Sequence, residues 1–206
     1  MRTLEVLVED PSTEQALKPL LAKIIAGRAK YALRNFNSKP RLLHNLSARL
    51  AGYKQRIDSG EDLRVLVLVD CDDDACTTLK QQMESIAASK GLITKTRATP
   101  SQAFYVVTRI AIEELEAWFL GDPWALRQAF PSLPAINPRT GIFRNPDNVS
   151  GGSWEALHRF PKRNGTYRNS YPKIDAAQSI GARMEPSCNQ SRSFHVFVQG
   201  IEALLR

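Results

Sequence analysis

Four acidic side chains crowd into five positions directly after the most apolar stretch of the chain. Asp70, Asp72, Asp73 and Asp74 follow residues 63–69, nearly all of which are aliphatic. Such a short apolar run is typical of a strand buried on both faces of a parallel sheet. Carboxylates this close repel one another and resist burial, so a hard divalent cation is their obvious partner. A turn or a helix cap built on Asp73 or Asp74 is the structural alternative.

Glu9 could join this acidic cluster from a distant part of the sequence. It ends the alternating stretch 3–9, which we expect to form the first strand. If that strand is parallel to the strand ending at Asp70 and lies beside it, the carboxylates of Glu9, Asp70 and Asp72 meet at one edge of the sheet. The pattern therefore predicts a three-carboxylate site for Mg²⁺ or Mn²⁺, since both take oxygen ligands.

A third acidic group lies in the segment 112–120. Glu116 has apolar neighbours in the sequence, and a carboxylate held among apolar groups must be paired, protonated or bound to a metal. The competing interpretation is that Glu116 faces water at a helix N-terminus, where the helix dipole favours an anion. For Glu113 and Glu114 we expect this solvent-facing arrangement.

The order of apolar patterns predicts an α/β protein with an open, largely parallel sheet flanked by helices. We expect Ser12 to cap the first helix, and we expect this helix to kink or to stop and restart at Pro19. We expect Ser193 to cap the last helix. The remaining predicted elements are a helix over 42–57, a strand up to Asp70, a helix over 75–89, strands over 92–96 and 104–112, an interrupted helix over 112–130, an irregular region over 131–172 and a helix over 174–184.

The positive charge of the chain is concentrated in its C-terminal part. The net charge is +7, and residues 127–206 hold 11 Lys or Arg against 5 Asp or Glu, whereas residues 1–126 hold 17 against 16. We therefore divide the chain into an α/β core, 1–126, and a basic extension rich in loops and helices, 127–206, that packs on it. A basic surface near a carboxylate site suits a polyanion, and we expect the partner to be nucleic acid, in the form of DNA. A basic face that serves only solubility is the alternative.

Other features of the sequence narrow the class of protein. No apolar run approaches the roughly 18 residues of a membrane span, and the first residues carry no signal-like segment, so we expect a cytoplasmic protein. No glycine-rich phosphate loop is present, which argues against intrinsic ATPase activity. Cys71, Cys76 and Cys188 lack a paired or zinc-like spacing, and we expect the first two to pack as small apolar residues.

A strand that ends in Glu9, followed later by a strand that ends in Asp70-x-Asp72, resembles the Toprim domains of topoisomerases, bacterial primases and OLD-type nucleases. The chain is more similar to a Toprim-like family, the domain-of-unknown-function family 4276. The similar blocks, in order, are Val8-Glu9 with Thr13-Glu14, Asp70-x-Asp72-Asp73-Asp74-x-Cys76, Glu114-Leu115-Glu116-Ala117-Trp118-Phe119-Leu120-x-Asp122, Tyr171-x-Lys173, and Ser191-Arg192-Ser193-Phe194. The chain departs from the family at Asp10, where a glycine is usual.

The resemblance implies specific roles. Glu9 would act as a general acid or base or as a metal ligand, Asp70 and Asp72 would bind Mg²⁺ or Mn²⁺, and Glu116 would be a further acidic ligand. Lys173 would contact the phosphate or the transition state. The implied function is a metal-dependent nuclease subunit with a Toprim-like fold, in defence against phage or foreign DNA. Because some OLD-like nucleases work with an ATPase, a separately encoded ATPase is the implied protein partner.

Two other functions fit the same residues. A non-catalytic Toprim-like module would bind nucleic acid or a protein without cleaving anything. A phosphatase or phospho-acceptor domain would use Asp70, although Asp73 and Asp74 stand where a haloacid-dehalogenase-type motif has Thr or Val. The sequence predicts neither an oligomeric state nor the number of metals.

Overall fold

A four-stranded parallel sheet with helices on both faces forms the framework of the protein. The computed structural model describes residues 1–72, 74–163 and 172–206, and the side chains of all of these except 161–163. Its elements are β1 (Thr3–Val8), α1 (Pro11–Ile25), β2 (Lys30–Asn35), α2 (Lys39–Asp58), β3 (Leu63–Asp70), α3 (Cys76–Ser89), β4 (Val106–Ala111), α4 (Leu115–Leu120), α5 (Pro123–Ala129), a 3₁₀ turn (Gly141–Phe143), α6 (Ser153–Arg163), α7 (Lys173–Arg183) and α8 (Arg192–Leu205). The predicted cap at Asp73 and the motif residue Tyr171 lie outside the described residues.

The strand order is β2-β1-β3-β4, and all neighbouring strands are parallel. The chain moves outward from β1 to β2 through α1 and then crosses back over β1 to β3 through α2. Because parallel crossovers are right-handed, the two connections place α1 and α2 on opposite faces of the sheet. The predicted α/β class, with an open parallel sheet flanked by helices, is confirmed.

Each face of the sheet carries its own apolar core. On one face, α1, α4, α7 and α8 cover β1 and β3, and buried aromatic rings from α4 and α8 fill the space between them. On the other face, α2 and α3 pack against the alternate residues of β3. The C-terminal helices thus share the core of the sheet, and the division of the chain at residue 126 stays a prediction. No helix in the described ranges combines the length and apolarity needed to cross a membrane.

Several predicted elements differ from those in the structure. The strand β2 was absent from the prediction because it lies at the sheet edge and is only half buried, so it lacks a continuous apolar run. The predicted strand 92–96 is an irregular segment with a single bridge from Thr94 to Val106. The region 131–172, predicted to be irregular, contains helix α6. This helix was not predicted because its composition is mostly polar.

The expected helix caps also need correction. Asp10 caps α1 in place of Ser12, with its carboxylate accepting a hydrogen bond from the Thr13 backbone N–H at 2.6 Å. Ser191 caps α8 in place of Ser193. Helix α1 continues through Pro19 without the expected interruption, because buried residues before and after Pro19 hold the helix against the sheet.

Helices α1 and α7 approach so closely at Gly181 that no side chain fits between them. A Cβ atom at Gly181 would lie 2.8 Å from the Cα of Ala16 and would also meet its carbonyl oxygen. We expect Gly181→Ala to lower the free energy of unfolding by about 1–3 kcal/mol, because backbone atoms cannot move aside as a flexible side chain can.

The matched control for this prediction is Gly52→Ala, in the exposed interior of α2. A Cβ atom there meets nothing within 4 Å. Alanine is the better helix former, so this variant should be more stable by about 0.5–1 kcal/mol. Urea unfolding of the two variants and the wild type measures both effects. A Gly181→Ala variant as stable as the wild type would contradict the close approach.

Candidate functional site

The carboxyl ends of β1 and β3 bring Glu9 and Asp70 together. In the parallel register Val8 lies beside Leu68, so Glu9, just after β1, and Asp70, the last residue of β3, emerge at the same edge. The Glu9 carboxylate accepts a hydrogen bond of 2.7 Å from the Asp70 backbone N–H. Both side chains are buried. The strand order reverses between β1 and β3, and ligands of open α/β sheets bind at such a reversal, outside the carboxyl ends of the strands.

Both carboxyl groups are held where ionisation is costly. Burial raises the pKa of Glu9 to about 7, and the nearby charge of Asp72 adds to the effect. Burial also raises the pKa of Asp70 well above its usual range, reinforced by the carboxylates of Glu9 and Glu116. Shifts of this kind in a cleft are typical of functional sites. A positive charge brought to this edge would therefore be strongly favoured.

Glu116 belongs to the same cluster. It lies in the first turn of α4 and is 1% exposed, and its Oε2 atom has no hydrogen-bond partner among the described residues. Burial raises its pKa to about 7, although Lys173 acts in the opposite direction. A buried carboxylate oxygen without a partner is costly, which indicates a ligand at this position. Of the two interpretations left open by the sequence, solvent exposure at the helix N-terminus is wrong for Glu116.

Lys173 reaches the cluster from the opposite side. It is the first residue of α7, and its Nζ atom lies 3.5 Å from Oε1 of Glu116 and 3.9 Å from Oδ2 of Asp10. The same atom lies 4.9 Å from the centroid of the Trp154 ring. Burial works against its charged form, but Glu116, Asp10 and Asp70 outweigh burial and raise the pKa of Lys173. The lysine therefore remains a cation at this edge.

Asp72 stands apart from the buried carboxylates. Its side chain is half exposed, and its Oδ2 atom forms an ion pair of 2.6 Å with Nζ of Lys39, which also binds Asp74 at 2.8 Å. The Asp72 backbone has φ = 48°, in the left-handed region, and its N–H donates to the Glu113 carbonyl. Its charge still reaches Asp70 and Glu9, since it raises the pKa of both.

Lys39 is a site residue that the sequence analysis missed. It lies in the first turn of α2, where the helix dipole disfavours a cation, so it needs nearby carboxylates. Burial opposes its charge, but Asp72, Asp74 and Glu9 raise its pKa. The unusual placement of a lysine at a helix N-terminus was the signal that could have identified it.

Glu113 and Glu114 are part-buried, and each accepts a hydrogen bond from the segment that leads into α6. The Glu114 carboxylate accepts hydrogen bonds from the Trp154 backbone N–H at 2.9 Å and from the Ser153 hydroxyl at 3.2 Å, at the start of α6. The Glu113 carboxylate accepts one from the Val149 backbone N–H at 2.9 Å. They therefore tie the segment before α6 to the carboxyl edge of the sheet.

The donor atoms at this edge suit a metal ion, but the described side chains do not form a complete coordination site. The donors are carboxylate oxygens, which Mg²⁺ prefers, and the unpartnered oxygen of Glu116 adds a vacant acceptor. Among the described residues, however, no three His, Cys, Asp or Glu side chains are grouped so that they could hold an ion. A cavity of about 360 Å³ opens beside the cluster, lined by Asp72, Glu113, Glu114, Gly152 and Glu155. A polyanion would be repelled there unless a cation accompanied it.

Cys71 and Cys76 form a disulfide, so the expectation that they pack as unpaired residues is wrong. The loop between β3 and α3 folds back on itself and brings their Cα atoms to 5.7 Å, within bridging distance. Cys188 is free and exposed. The bridge encloses the acidic loop that contains Asp72 and Asp74.

One comparison with known proteins gives a match. Residues 8–202 match a family described as a domain of unknown function (DUF4276). No curated protein and no solved structure matches the chain. The relation to Toprim domains stays a prediction. Since the match spans nearly the whole chain, the protein belongs to the DUF4276 family of domains of unknown function.

Proposed function

We propose that this protein is a metal-dependent nuclease subunit that hydrolyses phosphodiesters at the carboxyl edge of β1 and β3. The observation that carries the proposal is the meeting of Glu9 and Asp70 at the reversal of strand order, with the unpartnered oxygen of Glu116 beside them. Asp70 and Glu116 would hold Mg²⁺ or Mn²⁺, with Asp72 at the rim and water completing the coordination shell, which leaves Glu9 to act on the attacking water. When bound, the cation would polarise the phosphate and lower the pKa of an attacking water.

The remaining groups supply proton transfer and charge. Hydrolysis forms a bond from a water oxygen to phosphorus and breaks the ester bond from phosphorus to the leaving oxygen. Glu9, with a pKa of about 7, is suited to accept the proton of the water near neutral pH. Lys173, which lies beside Glu116 at this edge, would stabilise the negative charge on the leaving oxygen.

The second candidate is a non-catalytic module, and one observation favours it. Lys39 and Lys173 already neutralise part of the acidic cluster, and the described residues contain no three-residue metal group. In this alternative the ion pairs only hold the loops of the edge together. The module would then bind nucleic acid or a partner protein without metal.

Incubation of the purified chain with supercoiled plasmid and with single-stranded DNA distinguishes the two functions. We expect nicking or degradation in Mg²⁺ or Mn²⁺ and none in EDTA. A tagged chain should also be tested for co-purification of an ATPase, because some OLD-like nucleases act together with one. If the chain cleaves DNA neither in Mg²⁺ nor in Mn²⁺, and a captured ATPase does not change this result, the nuclease proposal fails and the non-catalytic module is the function.

A further inference from the structure

A basic groove lies beside the acidic edge, in the N-terminal half of the chain. It is a polar cavity of about 370 Å³ between the end of β2 and one face of α2. Its lining combines arginine and asparagine side chains with two apolar residues and contains no carboxylate: Leu33, Arg34, Asn35, Phe36, Asn37, Arg41, Asn45 and Arg49. The charge distribution of the sequence did not reveal it, because residues 1–126 are almost neutral in sum.

The helix periodicity of α2 creates one wall of this groove. Arg41, Asn45 and Arg49 are spaced by four residues, so they lie on one face of the helix. The apolar residues at 42, 46 and 50 are fully buried against the sheet, which leaves the basic stripe exposed. The Cα atoms of Arg41 and Arg49 are about 12 Å apart along the helix axis.

The positive charge of the groove is only partly neutralised. Arg34 forms an ion pair of 2.8 Å with Glu5. Arg41 and Arg49 form no ion pair with any described carboxylate, and the Arg49 guanidinium lies 5.8 Å from the centroid of the Phe36 ring. Two guanidinium groups without a carboxylate partner match the oxygens of phosphate groups. The side-chain amides of Asn35 and Asn45 already donate to the Glu14 carboxylate and to the Arg41 carbonyl, so the arginines carry the charge of the groove.

The groove begins next to the acidic edge. The Phe36 backbone N–H donates a hydrogen bond of 3.0 Å to the carbonyl of Val8, the residue before Glu9. Lys39 in the first turn of α2 faces the acidic loop, whereas Arg41 in the same turn faces the groove. A chain of phosphates lying along α2 would therefore lead directly to Glu9.

We propose that this groove binds the phosphate backbone of a nucleic acid strand. Arg41 and Arg49 lie about two helical turns apart on the same face of α2, so successive phosphates of a strand can each meet one guanidinium group. The inference deepens the proposed nuclease function by naming the surface that holds the substrate. Backbone binding needs no metal, and it can therefore be tested separately from cleavage.

The test measures fluorescence anisotropy of labelled 20-nucleotide DNA and RNA, single-stranded and duplex, in EDTA. We expect Arg41→Ala/Arg49→Ala to weaken binding at least about tenfold at low salt, equally for all sequences. The slope of log affinity against log salt should fall by about 1.4 for single strands, since two phosphate contacts are lost.

The control is Lys30→Ala/Arg97→Ala, which removes two exposed charges at the opposite end of the sheet. It should bind within about twofold of the wild type, because only non-specific charge is lost. Unchanged thermal unfolding of both double variants excludes misfolding. If the groove variant binds like the wild type, or no more weakly than the control, the groove is not the binding surface.

Binding and cleavage fail in different ways. If the wild type binds through Arg41 and Arg49 but cleaves nothing in metal, the nuclease proposal fails and the groove stands. If the wild type cleaves DNA and the groove variant binds and cleaves equally well, the groove inference fails and the nuclease stands. Preference for DNA or RNA among the four ligands identifies the source of the phosphates.

Discussion

Asp70→Asn should lower Mg²⁺-dependent cleavage by about 100- to 1000-fold while nucleic acid binding in EDTA stays unchanged. Asparagine keeps the shape of the side chain and removes the charge that the cation would meet. Asp70 is buried, and the charges of Glu9, Glu116, Asp10 and Asp72 all act on it, so its replacement removes a central charge of the cluster. Single-turnover cleavage of a labelled oligonucleotide, with anisotropy in EDTA, measures the two properties.

The same variant should be more stable than the wild type when metal is absent. Removing the Asp70 charge relieves its repulsion with Glu9 and Glu116, and a neutral amide costs less to bury than a carboxylate. The increase in melting temperature caused by Mg²⁺ should disappear with it, since a ligand stabilises only the form that binds it. Thermal unfolding with and without Mg²⁺ measures both effects.

Asp62→Asn is the matched control, because Asp62 precedes the same strand at its opposite end. Its half-exposed side chain pairs with Arg2 and Arg64, far from the carboxyl edge. We expect normal cleavage and a normal Mg²⁺ effect on melting. Equal losses of cleavage in both variants would show that charge in general, and not the edge cluster, supports activity.

Glu116→Gln should remove part of the pH dependence of stability of the metal-free protein. The pKa of Glu116 is about 7 in the folded chain, above the ordinary value of 4.5 expected when unfolded. Between these values the folded state binds more protons, so stability falls as the pH rises from about 4.5 to about 7. The whole contribution is on the order of 3 kcal/mol, and it is lost above the folded pKa.

Urea unfolding in EDTA at several pH values measures this effect as the difference between wild type and variant. Glu9 and Asp70 still titrate in the variant, so a smaller slope of the same sign should remain. Glu185→Gln serves as the control, because Glu185 is half exposed and pairs with Lys23. A Glu116→Gln variant with the wild-type slope would mean that burial does not raise the pKa of Glu116 in the folded protein.

The apolar run that forms β3 and the acids at its end could be predicted because the signal is local. Every residue of β3 except Arg64 is buried, and such a strand shows in the sequence as a continuous aliphatic stretch. The alternating pattern of β1 likewise predicted Glu9 at a strand end. Edge strand β2 left no such signal, since half-buried strands need few apolar residues.

Partners from distant parts of the chain could not be predicted in the same way. Lys39 meets Asp72 from α2, and Lys173 meets Glu116 from α7, across 33 and 57 positions of sequence. The basic groove combines the end of β2 with a face of α2, although each part by itself looks like an ordinary polar surface. The burial of these side chains and the pairing of their charges depend on contacts between distant elements, so local sequence patterns cannot predict them.

The sequence by itself determined the α/β class and the carboxylates at the ends of two strands. Both can be recognised from neighbouring residues, because the periodicity of a strand and its end are local features. Only the tertiary structure decided that these strands lie side by side, since their order depends on the handedness of the two crossovers. It also decided that Glu116 is buried with an unpartnered oxygen, that Asp72 turns to Lys39, and that Cys71 and Cys76 are joined. The environments of Glu116 and Asp72 result from packing between elements, which brings together groups that are distant in sequence, and the disulfide results from the fold of the loop between β3 and α3.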